Sequence, residues 1–317
     1  MTADGAKRSR SQLLARALRS GLRRYPKELL ASLWPAGREG RAAAWGLARS
    51  WARLPAGEST LAVAWLGHCT VLIRIAGRTV LTDPVLAERI GVRIARRTIG
   101  LSRLFPAPLK PEQLPPIDLV LLSHAHFDHL DRPTLRALAD RRTQVITARR
   151  TRRLVPPGFG GVSELGWNER LELDGLVIEA LRPRHWGARA AWDVHRGYNA
   201  YVLSAAPSGN SRGRSVFFAG DTADTDRFAP LGEREIDLAI FGIGAYAPWE
   251  HAHATPEQVW RMFKQIGARR LLAVHHSTFD LGEEAPGEPM FRLRRAAGRE
   301  AHAAILDAPI ASVQPLP

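Results

Sequence analysis

The sequence predicts a mixed α/β (α+β) domain whose β-sheets carry helices on their outer faces, preceded by a basic helical extension. Three observations lead there. From Leu61 onward short apolar or alternating runs recur, and the first, "LAVAWLG" and "TVLIRIAGRTVLTDP", read as consecutive strands with Ala76-Gly77 as a hairpin turn. Helical patterns at Arg132 to Asp140 and Pro256 to Ile266 fall between later strands, the order expected when helices cover sheets. The 317 residues are 45% hydrophobic, enough for the core of one large domain or two ordinary ones.

Residues 1–57 form the extension and residues 58–317 the main domain. In the extension Leu13, Leu14, Leu18, Leu22, Leu29, Leu30 and Leu33 recur among arginines at nearly helical spacing, followed by Trp45, Leu47 and Trp51. This pattern predicts two or three short amphipathic helices, suited either to an anionic membrane surface or to packing on the main domain. In the main domain further strands are expected at Asp118 to Leu122, Val145 to Thr147, Leu176 to Leu181, Tyr198 to Ser204, Ser215 to Ala219, Ile236 to Phe241 and Leu271 to Val274. The stretch "SGNSRGR" (Ser208 to Arg214) reads as a surface loop, and no repeat or low-complexity tract occurs.

Charge and cysteine content narrow the function classes. The net charge is +14, but residues 1–57 hold twelve Lys or Arg against Asp4, Glu28 and Glu39, a surplus of nine. The extension's arginines alternate mostly with leucine and alanine rather than with aromatic residues on which bases stack, which argues against nucleic acid as partner. Cys69, the single cysteine, excludes an intrachain disulfide and a cysteine-built zinc cluster. No run approaches the roughly 18 apolar residues of a membrane span. "LLASLWPAG" imitates a signal peptide only faintly, with Pro35 inside it and Glu28 abutting it, so the expected location is cytoplasmic, with peripheral contact at the inner membrane surface through the extension.

The segment "SHAHFDHLD" (Ser123 to Asp131) follows the buried-strand pattern "IDLVLL". If the chain continues extended there, His124, His126 and Asp128 share one side at period two while His129 points away. Two ligand directions from one loop suit a pair of neighbouring metals, two histidines on one and the adjacent Asp and His on the other; zinc accepts both donor types. Asp131 is the expected N-cap of the following helix, with Pro133 in its first turn. Four ligands are too few for two ions. Three more candidates follow apolar strands at the same edge: His185, Asp221 and His275. Singly these read as a surface loop residue, a helix N-cap and a core histidine; jointly they read as a site. His276 is the alternative to His275, which ends its strand directly. His68 and Cys69 are expected in the core or behind the ligands, His195 and His251 in loops, and Trp186, Trp192 and Trp249 either in a cleft or in packing.

The ordered set "WLGHCTVLI", "LTDP", "SHAHFDHLD", a histidine after a strand, "FFAGDT" and "AVHHSTF" resembles the metallo-β-lactamase-fold hydrolases. Within them it is most similar to the branch containing the N-acylphosphatidylethanolamine-hydrolysing phospholipase D. The resemblance runs from about residue 60 to about residue 290. It implies a four-layer αββα sandwich with two Zn2+ ions, Mn2+ or Fe2+ being alternatives. His124, His126 and His185 would hold the first ion, Asp128, His129 and His275 the second, and Asp221 would bridge them. Asp83 would orient a ligating histidine, and His253, in "YAPWEHAHATPEQ", would contact the substrate phosphate. Relatives commonly carry tryptophan where this chain has His276.

The expected chemistry is hydrolysis by a hydroxide shared between two ions about 3.5–4 Å apart, with Asp128 orienting it and His253 donating to the phosphate or leaving group. The expected substrate is a phosphodiester, specifically a phospholipid. Other branches of the family act on lactones, thioesters or RNA, and a non-enzymatic membrane- or nucleic-acid-binding protein with a structural metal is the reading from a different class.

Overall fold

In the computed structural model the described residues are 41–55, 57, 59–95, 97–190, 193–207 and 212–317. Most of the extension, including the leucine pattern of residues 13–33, lies outside them, as do Trp192 and residues 208–211 of the expected loop.

Seven strands build the first sheet: Leu61–Trp65 (β1), Val71–Ile75 (β2), Arg78–Thr82 (β3), Leu119–Leu122 (β6), Gln144–Ala148 (β7), Gly161–Leu165 (β8) and Val313–Leu316 (β15). Their order is β15-β1-β2-β3-β6-β7-β8, antiparallel from β15 to β3 and parallel from β3 to β8. The β2–β3 hairpin turns on Ala76 and Gly77, both at positive φ (50° and 70°), which is the backbone a two-residue turn of this hand requires. The second sheet runs β14-β13-β12-β11-β10-β9, from Arg170–Leu173 (β9), Leu176–Leu181 (β10), Ala200–Ala205 (β11), Arg214–Phe218 (β12), Leu238–Gly242 (β13) and Arg270–Val274 (β14). Between β3 and β6 a separate hairpin, Arg89–Ile94 (β4) with Arg97–Ser102 (β5), stands apart from both sheets.

Strand alternation sends one set of side chains from each sheet into a shared layer: Val63, Val71, Ile73 and Leu121 from the first meet Ile178, Tyr201, Phe218 and Ile240 from the second. The opposite faces are covered by helices. Arg41–Ala52 (α1) and Arg132–Ala137 (α2) lie on the first sheet through Leu47, Trp51 and Leu135. Pro256–Ile266 (α3) and Glu288–Ala297 (α4), followed by the short Ala301–Ala304 (α5), cover the second through Val259, Met262, Phe263 and Leu293. The result is the αββα layering that the resemblance implied.

Local signals set the helix limits. Asp131 accepts from the Thr134 amide, as its N-cap position predicts, and Thr255 with Gln258 closes a capping box on α3, which ends on Gly267 in the left-handed region. The described part of the extension is docked: Leu47 and Trp51 are buried, and the Trp51 indole N–H donates to Thr79 Oγ1 at 3.4 Å. Sequence patterning did not foresee the β4–β5 hairpin, β8, β9, β15, α4 or α5. Gly91, Gly100 and the short, chain-terminal run of β15 interrupt the periods by which strands are read.

Candidate metal centre

The carboxyl ends of β6, β10, β12 and β14 gather at one edge of the sandwich, and each is followed by a predicted donor: His124–His129, His185, Asp221 and His275. Gly220, at φ +57°, brings Asp221 against the β6 loop; a Cβ there would lie 2.8 Å from that of Ser123, so only glycine lets the two strand ends meet.

One expectation is corrected. The chain does not continue extended past His124. The amides of His129 and Leu130 both donate to the His126 carbonyl, at 3.2 and 2.9 Å, so the segment curls into a turn. Asp128 therefore leaves the side of His124 and His126 and joins His129. Arg189 fixes this curl: its guanidinium donates to the carbonyls of Ala125 (2.9 Å) and Leu130 (2.8 Å) and lies 3.9 Å over the Phe127 ring.

Two groups of donors result. His124, His126, His185 and Asp221 each place one ligand atom within 4.8 Å of the others. On the other side of Asp221, His275 Nε2 is 3.3 Å from Asp221 Oδ1 and 3.5 Å from Asp128 Oδ2, while His129 Nε2 is 3.1 Å from Asp221 Oδ2 and 3.5 Å from Asp128 Oδ2. Asp221 belongs to both groups. His253 approaches from the more open side, Nδ1 at 3.8 Å from Asp221 Oδ2.

Hydrogen bonds behind the rings decide which nitrogen faces inward. Asp83, fully buried, accepts from the Ser123 amide (2.7 Å), from the Ser123 hydroxyl (2.5 Å) and from His129 Nδ1 (2.7 Å). With its proton committed to Asp83, Ser123 Oγ can only accept from His124 Nδ1, 2.9 Å away. One carboxylate thus fixes the Nδ1 side of two histidines and turns Nε2 of both toward the centre, where that of His124 lies 2.8 Å from His126 Nδ1. His185 Nδ1 donates to the Ala252 carbonyl at 3.0 Å, with the same effect. His68 Nε2 lies 3.0 Å from Asp128 Oδ2 and holds that carboxylate, and the Trp186 indole donates to His126 Nε2 at 2.5 Å.

The electrostatics are those of a cation site. Burial and neighbouring imidazoles keep His124 and His253 neutral, well below the ordinary histidine range, and burial lowers His126 to about 3. Burial opposes charge on Asp221 and on His129, but their mutual attraction wins, holding the carboxyl well below and the imidazole well above their usual ranges. Both Asp221 oxygens, both His275 ring nitrogens and His129 Nε2 are buried without a hydrogen-bond partner, the close approaches being misaligned. Leaving a buried carboxylate so unsatisfied costs several kcal/mol. Divalent cations would satisfy the Asp221 oxygens, His129 Nε2 and His275 Nε2, leaving only His275 Nδ1 without a partner, so the residues fit the metals the sequence implied.

All seven predicted ligands, with Asp83 and His253, therefore meet at one site. His276 does not join them: its ring packs on Trp65, centroids 4.8 Å apart, and Nδ1 pairs with Ser277 Oγ. His195 and His251 are exposed. Sequence reasoning missed the Arg189 clamp and the pairing of His68 with Asp128. Neither has a local signal, because each joins positions about sixty residues apart.

Residues 78–276 match the family model described as the beta-lactamase superfamily domain, which covers more than half of the chain. The chain belongs to the beta-lactamase superfamily. The relatives it matches include a protein of Pyrobaculum aerophilum named as a metal-dependent hydrolase, 24% identical over 238 residues. The chain is 34% identical over 259 residues to an uncharacterized protein of Mycobacterium tuberculosis, covering 76% of this chain and 65% of that one. It is 31% identical over 244 residues to N-acyl-phosphatidylethanolamine-hydrolyzing phospholipase D 1 of Caenorhabditis elegans, covering 71% and 66%. The chain thus spans just under two thirds of the length of these last two relatives. Among solved structures it shares its fold with the isothiocyanate hydrolase from Delia radicum gut bacteria, at TM-score 0.61 and 20% identity, over 80% of this chain and 98% of that one.

Proposed function

We propose that this protein is a two-metal phosphodiesterase acting on phospholipids, with zinc as its metal. The observation that carries the reading is Asp221, a buried carboxylate with two unpartnered oxygens standing between two sets of donors. His124, His126 and His185 would hold one ion, Asp128, His129 and His275 the other, and Asp221 would join them. Imidazole and carboxylate donors suit Zn2+ and also admit Mn2+ or Fe2+. When bound, such a pair supplies Lewis acidity and a water acidified toward neutral pH.

The chain's own residues do the rest. Asp128, steadied by His68, accepts a hydrogen bond from the attacking water and aims it. His253 stands beside Asp221 on the more open side, where its ring donates to a phosphoryl oxygen or to the departing oxygen. The phospholipid assignment is supported by similarity to the Caenorhabditis elegans phospholipase D. Membrane contact through the extension rests on its basic, leucine-rich sequence, and among the described residues no helix is long and apolar enough to cross a membrane.

The test is metal analysis followed by turnover on N-acylphosphatidylethanolamine, a bis-aryl phosphodiester, a lactone and a thioester. Two bound ions and preference for the diesters are expected. Faster turnover of the lactone or thioester would replace the phosphodiesterase reading, and two bound ions without turnover on any of them would favour a binding protein.

A further inference from the structure

The β4–β5 hairpin is the segment of the main domain whose surface neither the fold nor the metal centre explains. Paired residues on adjacent antiparallel strands share a face, so Ile90 and Leu101, Val92 and Ile99, and Ile94 and Arg97 line one side of it. This stripe begins in the protein and ends in solvent. At the base Ile90 and Leu101 pack with Val85, Phe279 and Phe127, the last lying between His126 and Asp128 of the metal loop. Midway, Gly91 faces Gly100; a Cβ on either would lie about 2 Å from the opposite strand's carbonyl oxygen, at 2.2 and 2.1 Å, so the strands touch there through their backbones. Beyond the glycines Val92 is 53% and Ile94 60% exposed, and Leu104 beside the base is 47% exposed.

Charge identifies the occupant. Between Glu88 and Glu112 the chain carries Arg89, Arg93, Arg96, Arg97, Arg103 and Lys110 and no acidic residue, Arg103 being buried with its guanidinium on the Val85 and Leu66 carbonyls. Arg93 and Arg97 are exposed around the apolar tip. A β-branched apolar tip ringed by guanidinium groups matches the boundary of an anionic bilayer, where hydrocarbon lies directly beneath a layer of phosphate. A water-soluble partner offers no comparable sequence of layers.

We propose that the β4–β5 hairpin docks this protein on anionic phospholipid bilayers, Val92 and Ile94 entering the acyl boundary and Arg93 and Arg97 meeting lipid phosphates. The apolar stripe then leads from the membrane to the base of the hairpin, where Ile90 and Leu101 pack with Phe127 of the metal loop, a path for the acyl part of a lipid. The purpose of this docking rests on the phospholipid reading, but docking itself is measured without turnover.

The experiment uses the full chain and sedimentation with vesicles of phosphatidylcholine, with or without phosphatidylglycerol. Binding should require the anionic lipid and fall with salt. V92D/I94D and R93E/R97E should each weaken it about tenfold or more, with unchanged circular dichroism and melting temperature showing that both variants fold. A fluorophore on Ala95→Cys, selective because Cys69 is fully buried, should shift to the blue on vesicles. Wild-type partitioning by both variants overturns the proposal, as does a dye that stays in water; binding would then belong to another surface. If light scattering shows a wild-type dimer that V92D/I94D dissociates while vesicle binding is unaffected, the stripe is a self-interface and the proposal falls. Docking as predicted by a protein inactive on every diester would instead refute the phosphodiesterase reading and leave this one standing.

Discussion

Asp83→Asn tests the logic of the centre without touching a proposed ligand. The wild-type carboxylate accepts three hydrogen bonds in a fully buried position, from Ser123 N, Ser123 Oγ and His129 Nδ1. An amide cannot reproduce this in either orientation. If its nitrogen replaces Oδ1, two donors face each other at the Ser123 amide, and the buried N–H left without an acceptor costs about 1–3 kcal/mol of stability. If its nitrogen replaces Oδ2, it donates to His129 Nδ1, which keeps the imidazole proton on Nε2 and withdraws the lone pair that Nε2 would offer a cation. Mutations of this kind behind a ligand lower metal affinity by about 10–100-fold, or roughly 1.4–2.8 kcal/mol. Competition with a chromophoric chelator reads the second outcome and thermal melting of the metal-free protein reads the first. A variant with wild-type affinity and wild-type melting temperature would refute the assignment of Asp83 as the group that sets the His129 tautomer.

Other consequences follow from the same structure. Chelation should lower the melting temperature by on the order of 5–10 °C if the metals normally bind well below their working concentration, because ligand binding at a thousandfold excess over Kd contributes about 4 kcal/mol; scanning fluorimetry with and without chelator checks this, and no shift would mean that the orphaned donors are satisfied otherwise. Tyr201→Phe should cost about 1–3 kcal/mol in denaturant melts, since the hydroxyl crosses the core to donate to the Leu122 carbonyl (3.0 Å) and accepts from Asn199 (3.1 Å). Cys69 is buried, and burial raises its thiol well above the ordinary range, so it should resist a thiol reagent in the folded protein and react once unfolded.

Local chemistry made much of this protein readable from its chain. The Ala76-Gly77 turn, the Asp131 cap and the Thr255 start of α3 depend on residues a few positions apart, and the backbone rules governing them do not need a tertiary context. The candidate donors were also legible, because strand ends are visible as apolar runs and each carries its histidine or aspartate within a few residues. The interior of the metal loop was not. Period two places Asp128 with His124 and His126, but Arg189, sixty residues later, binds the carbonyls of Ala125 and Leu130 and stabilises a turn instead.

The sequence by itself determined the fold class, the candidate donors and the choice of strand edge, since periodicity and residue type are local properties. Only the tertiary structure decided which donors face one another. It put Asp221 between two groups, turned His275 inward while His276 packs on Trp65, and let Asp83 orient two rings at once. It also left the tip of the β4–β5 hairpin in solvent beside the site. These outcomes depend on contacts between segments tens to hundreds of residues apart, whose geometry is set by the packing of two sheets and is not written in any one of them.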